Sequence, residues 1–267
     1  MRGEIGNMDK AAYLIRKLKR ESERVVFKKE STCYRCFWIR ENCLCHLMKS
    51  FDTATRFVIL MHPMEAKKEK LGTGRICRAI LENSEIIVGI DFTANEPVNA
   101  LLQDPDNLCM ALYPGDKALN LTTDDVSPLI EAKNSGRRLV LFLLDGTWNC
   151  AKKMITRSLN IRSLPRISFT ALHESIFTIK QQPAPFCLST LESIHFYLGE
   201  AHRRGVEHLP GNPQDNLITV FKHMIDFMLW CAVDPARSTY RGNKTGYTKK
   251  ENRRPRKQTM RKIVLLD

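Results

Sequence analysis

Five short apolar runs separated by helical stretches constrain this chain more than any other feature. The runs are Arg56–Met61, Glu85–Ile90, Leu108–Tyr113, Leu139–Leu144 and Arg166–Phe169, each bounded by polar or turn-forming residues. Helical spacing occupies the intervals near 73–82, 96–103, 124–134 and 147–158. Strands that alternate with helices predict an α/β domain with a largely parallel sheet. Leu139–Leu144, the longest uninterrupted apolar run, suits a buried strand.

Two longer helices close the pattern. Ser189-Thr190-Leu191-Glu192 has the spacing of a capping box, ahead of Ile194, Tyr197 and Leu198. Asn212-Pro213 predicts the start of the second, with Asn as cap and Pro at the first helical position. Leu217, Phe221, Met224, Ile225 and Met228 then fall on one helical face. Residues 9–29 predict a charged surface helix, whose Tyr13, Leu14 and Leu18 make only a thin apolar stripe.

At 267 residues the chain can bury a sizeable core, and its 43% hydrophobic content is ordinary for a globular protein. No apolar run approaches a membrane span. The opening MRGEIGNMDK lacks the apolar stretch of a secretory signal. These features predict a soluble cytoplasmic protein with no membrane partner.

Charge is unevenly spread. Residues 236–267 hold eleven Lys/Arg against Glu251 and Asp267, so they carry nine of the chain's thirteen net positive charges. Gly242, Gly246 and Pro255 interrupt this segment, which reads as a tail disordered when free. A tail of this kind can serve as a solubilising extension or as an electrostatic handle on a polyanion. Its concentration and lack of balancing acids favour the handle.

Nine cysteines without a signal sequence do not read as a disulfide framework. Cys77, Cys109, Cys150, Cys187 and Cys231 stand singly in apolar contexts, as small hydrophobes do. The other four form Cys33-x2-Cys36-x6-Cys43-x-Cys45, a soft-ligand set suited to structural Zn²⁺ in tetrahedral sulfur coordination. An iron–sulfur cluster takes the same ligands, and His46 could replace one sulfur. The expected organisation is a charged helix at 1–30, a metal knuckle at 31–48, a catalytic α/β domain at 49–235 and the basic tail at 236–267.

The run Arg138–Leu144 leads directly into Asp145-Gly146-Thr147-Trp148. In open α/β sheets, ligand sites gather where strands deliver their carboxyl ends. Gly146 permits a tight turn or a close approach. Asp145 could also cap the following helix, and Trp148 could belong to the core.

Other motifs recur along the chain: His62-Pro63-Met64-Glu65, Leu112-Tyr113-Pro114-Gly115 and Cys187-Leu188-Ser189-Thr190-Leu191-Glu192. With the four cysteines and Asp145-Gly146-Thr147-Trp148, their order resembles the DTW-domain family, named for its D-x-T-W signature. The resemblance runs from about Cys33 to about His202. It implies a SPOUT-like knotted α/β domain that uses S-adenosylmethionine. It further implies transfer of the aminocarboxypropyl group to N3 of a tRNA uridine, in the variable loop at tRNA position 47. A related branch modifies rRNA.

On that resemblance Asp145 is the expected base that removes the N3 proton. Trp148 and Tyr113 are expected to stack on the uracil or the adenine. The donor site would draw on His62, Leu112, Tyr113, Pro114, Gly146, Thr147, Leu188, Ser189 and Thr190. Glu192 fits a structural cap, and His62 an exposed polar role at a strand end. Lys180 stands where the family favours Arg, and Gly72-Thr73-Gly74 where its pattern has Asn-Thr. DNA is not an expected partner. An RNA methyltransferase of SPOUT type and a noncatalytic zinc-bearing RNA-binding module are the rival readings.

Overall fold

In a computed structural model of the chain, which describes residues 33–68, 72–177, 179 and 187–233, strands and helices alternate as the apolar runs require. The strands are β1 (Arg56–Met61), β2 (Ser84–Val88), β3 (Asn107–Leu112), β4 (Leu119–Asn120), β5 (Arg138–Asp145) and β6 (Arg166–Ser168). The helices are α1 (Pro63–Lys68), α2 (Thr73–Ile80), α3 (Glu96–Gln103), α4 (Ser127–Asn134), α5 (Trp148–Arg157), α6 (Leu159–Arg162), α7 (Thr190–Arg203) and α8 (Asp215–Val233). The helix expected at 9–29, Lys180 and the basic tail lie outside the described residues.

All pairings in the six-stranded sheet are parallel, and the strand order is β2-β1-β5-β3-β6-β4. Side chains of β1 and β5 alternate between two cores. Phe57, Ile59, Leu141 and Leu143 join the core shared with α2, α7 and α8. Val58, Leu60, Val140 and Phe142 pack with Phe92, Val98, Met154, Ile155 and Ile161 on the other face. Burial on both faces is the reason these strands read as continuous apolar runs. Each such side chain contributes about 1.5–3 kcal/mol relative to exposure.

Local signals set the helix starts. Asn95 caps α3, its side chain accepting from the Val98 amide at 3.1 Å. Ser189 and Glu192 form the full capping box of α7. The start of α8 corrects the sequence reading. Asn212 has φ 52° and Pro213 lies in a turn, so the helix begins at Asp215 rather than at Pro213. Left-handed backbone is incompatible with the extended conformation of a helix cap. The apolar face of α8 nevertheless forms as expected, with Leu217, Phe221, Met224 and Ile225 buried.

The cysteine segment is welded to this body. Cys36, Trp38, Leu44 and Met48 are buried in the core that holds α7 and α8. Trp38 lies 5.0 Å from the Phe227 ring, and the Lys49 amide donates to Asn216 Oδ1 at 2.8 Å. Among the described residues no helix is long and apolar enough to cross a membrane.

Candidate active site

The register of the central strands places Asp145. Met61 of β1 pairs with Asp145 at the end of β5, and the next amide, of His62, donates to the Asp145 carbonyl at 2.8 Å. Asp145 is only 5% exposed. Thr190, the first residue of α7, donates its hydroxyl to Asp145 Oδ1 at 2.7 Å. On the other side, a Cβ built on Gly74 would stand 2.7 Å from Asp145 Oδ2. The first turn of α2 therefore abuts the carboxylate, where the partial positive charge of a helix N-terminus favours an anion.

Its negative charge is felt nearby. It opposes the effect of burial that lowers the Arg75 pKa, and it adds to the burial that pushes the Cys77 thiol well up. Arg75 is held by two groups: its guanidinium donates to the Ala66 carbonyl at 2.7 Å and lies 4.1 Å from the Phe37 ring centroid.

Above this carboxylate, a cleft of about 120 Å³ opens between the carboxyl ends of β3 and β5 and the starts of α5 and α7. Leu112, Tyr113, Pro114, Leu143, Leu144 and Gly146 line it on the strand side. Trp148, Ala151, Leu188, Thr190 and Ser193 line it on the helix side. Trp148 is 38% exposed, so it is not a core residue. Tyr113 is half-buried beneath the Arg166 guanidinium, and burial raises its phenol pKa against the opposing pull of that cation. Asp145 is not among the lining residues, although its neighbours Leu144 and Gly146 are.

Several residues take other places. Thr147, not Asp145, caps α5, its hydroxyl accepting from the Cys150 amide. Ser189 is committed to the α7 capping box. His62 is buried rather than exposed. Its Nδ1 accepts from the Met64 amide at 3.1 Å, which turns the ring into the start of α1. It stands behind Gly146, whose absent side chain leaves room for both His62 and Cys150. Glu192 is structural, as its spacing suggested. Its carboxylate accepts from the Ser189 and Ile176 amides and the Ser175 hydroxyl. Sequence reasoning did not single out Ala151 and Ser193, which each lie one helical turn beyond a recognised residue, Trp148 and Thr190.

A larger hollow of about 200 Å³ lies at the opposite, amino end of the sheet, between Thr55, Leu108, Leu129 and Val206. Its cations are engaged: Lys133 with the Val206 carbonyl, Arg137 with the Asn107 carbonyl and Arg138 with Asp104. The smaller cleft is the better candidate, because it lies at the carboxyl ends of parallel strands beside a buried carboxylate.

The four knuckle cysteines converge. Their sulfurs all lie within 4.8 Å of one another, with Cys33–Cys45 and Cys36–Cys43 both at 3.6 Å. A tetrahedral ion with metal–sulfur bonds of about 2.3 Å sets its sulfurs about 3.8 Å apart. The donor set therefore fits one metal ion, and the separations are too long for disulfides. His46 is outside the set, its Nδ1 lying 2.8 Å from the Cys43 carbonyl. Burial pushes the Cys36 and Cys45 thiols up, while the Cys36 amide brings Cys33 down to about 6.

Fold and site together define a parallel α/β domain with a ligand cleft over a buried carboxylate and a cysteine knuckle docked on its flank. The family model for the DTW domain matches residues 30–229, and the chain belongs to this family. It is similar to tRNA-uridine aminocarboxypropyltransferase 2 of Mus musculus, 28% identical over 165 residues covering 60% of this chain and 53% of the relative. The protein of that name from Drosophila melanogaster is 32% identical over 145 residues, 52% of this chain and 53% of the relative. That from Macaca fascicularis is 28% identical over 175 residues, 62% and 54% respectively. The chain spans about half the length of these curated relatives. No solved structure matches it.

Proposed function

We propose that this protein transfers the 3-amino-3-carboxypropyl group of S-adenosylmethionine to N3 of a tRNA uridine, with methylthioadenosine as the second product. The observation that carries the reading is the buried Asp145 carboxylate, bonded to Thr190, which itself lines a cleft walled by Tyr113 and Trp148. The relatives' names support the reaction class.

Uridine N3 is a poor nucleophile while protonated, so a carboxylate that receives its proton during attack lowers the barrier. Asp145 is the group assigned that role. Tyr113 and Trp148 offer aromatic faces for a base withdrawn from its stack. Backbone around Leu112–Pro114 and Leu188–Thr190 would hold the donor. Transfer of the aminocarboxypropyl group rather than the methyl is a matter of which carbon the site orients toward the nucleophile.

Four sulfurs at single-ion spacing favour structural Zn²⁺ over an iron–sulfur cluster, whose ligands sit on separate irons. We also assign the chain a SPOUT-like knot, a cytoplasmic location and the variable-loop uridine at tRNA position 47. The basic tail is assigned to RNA phosphates.

The test is to incubate purified protein with donor and tRNA and identify the by-product. Methylthioadenosine is the expected result, and S-adenosylhomocysteine would make the protein a methyltransferase. Modification confined to rRNA would move the substrate. Failure to bind the donor at all would leave a noncatalytic RNA-binding module.

A further inference from the structure

Asp145 is buried and does not line the cleft, whereas Thr190 does. The 2.7 Å bond between Thr190 Oγ1 and Asp145 Oδ1 thus joins the cleft to the carboxylate beneath it. The position of Thr190 is fixed from both directions. It follows Ser189, the cap of α7, and Glu192 anchors that cap through the Ser189 amide. A threonine hydroxyl has one proton and two acceptor lone pairs. With its proton directed at Oδ1, its lone pairs remain for a donor in the cleft.

We infer that Thr190 is a catalytic residue, relaying the nucleophile's proton from the cleft to Asp145. The inference rests on the uridine N3 reading above. In the step, N3 forms a bond to the γ-carbon of the donor while the bond from that carbon to sulfur breaks. The electron pair of that bond stays on sulfur, turning the sulfonium into a neutral thioether. The N3 proton passes to Thr190 Oγ1 as the Thr190 proton passes to Asp145 Oδ1. One positive and one negative charge are thereby neutralised, and the carboxyl group later returns its proton to solvent. A threonine that merely satisfies a buried carboxylate would hold Asp145 in place without meeting the nucleophile, and the two roles differ in their pH dependence.

The test compares T190V, T190S and wild type in tRNA modification, with donor binding and thermal stability measured alongside. T190V should lose about 10²-fold or more in kcat, within the usual range for proton-transfer catalysis, with donor affinity largely kept. T190S, which retains a hydroxyl, should recover most of that loss. The T190V rate should climb about tenfold per pH unit below the N3 ionisation, where only the already deprotonated uridine reacts. tRNA carrying 5-fluorouridine, whose N3 is more acidic, should rescue T190V. A T190V pH profile parallel to wild type, with no rescue, would overturn the relay while leaving the transferase reading intact. A proton inventory on wild type does not depend on how any variant folds. Two protons in flight should give a curved dependence on deuterium content, and a linear one would also overturn the relay. Absence of methylthioadenosine with wild type would defeat the transferase reading itself, and the relay with it.

Discussion

Gly74 and Asp145 approach so closely that no side chain fits between them: a Cβ on Gly74 would lie 2.7 Å from Oδ2 and 2.9 Å from Cγ. The first turn of α2 is thereby seated against the end of β5. G74A should shift either the helix or the carboxylate, costing about 1–3 kcal/mol as an overpacked core does. Transfer should fall while donor binding is largely kept. Because the strain requires both groups, G74A should cost much less in a D145A background. A double-mutant cycle in thermal unfolding checks this coupling.

The knuckle should hold about one metal ion per chain. C33S or C45S should lose it, together with soluble yield, because Cys36 and Trp38 are buried against the core that α8 completes. Elemental analysis of purified wild type and variants is the check, and metal-free protein of full activity would end the metal-site reading. The sign of the pH dependence follows from burial. With the Cys36 and Cys45 thiols pushed up, these groups are protonated in metal-free protein at neutral pH, and binding must expel their protons. Metal affinity should therefore rise with pH, and the ion should be released on acidification.

Glu192 should prove structural. Its carboxylate accepts from two amides and a hydroxyl, tying residues 175–176 to the start of α7. E192A leaves those donors unmatched, at about 1–3 kcal/mol for each buried group that water cannot reach. Stability should drop in thermal unfolding, and a loss of turnover without a loss of stability would instead place Glu192 in the chemistry.

How much of this was legible in the sequence depended on whether the signal was local. The apolar runs located five strands to within two residues at either end, because burial on both faces leaves an unbroken apolar signature. β4, only Leu119–Asn120, is too short for any periodicity. Ser189 and Glu192 marked the start of α7 because a capping box is a local motif, while the turn at Asn212 defeated the same logic for α8. The cysteine set was readable from spacing alone. The contact of Gly74 with Asp145 and the burial of His62 arise only when separate elements pack, so no window of sequence contains them. Leu143 and Leu144 serve both strand and cleft, and their core signature masks the second role.

Removing residues from Ala236 onward should weaken tRNA binding and flatten its salt dependence. The slope of log affinity against log salt should fall by roughly 0.7–0.9 for every phosphate that the tail neutralises. The modified nucleotide should stay the same, because cations on phosphates position an RNA without reading its sequence. Affinity against salt and mapping of the modified position, for full-length and truncated protein, separate the two effects.

The central claim, that a carboxylate under the cleft drives transfer to uridine N3, is tested most directly by nucleoside mass spectrometry of tRNA. Wild type and D145N are incubated with S-adenosylmethionine side by side. Wild type should yield aminocarboxypropyl-uridine and an equal amount of methylthioadenosine. D145N should still bind the donor but turn over about 10²–10⁴-fold more slowly. A methylated nucleoside, or D145N at near-normal turnover, would contradict the account.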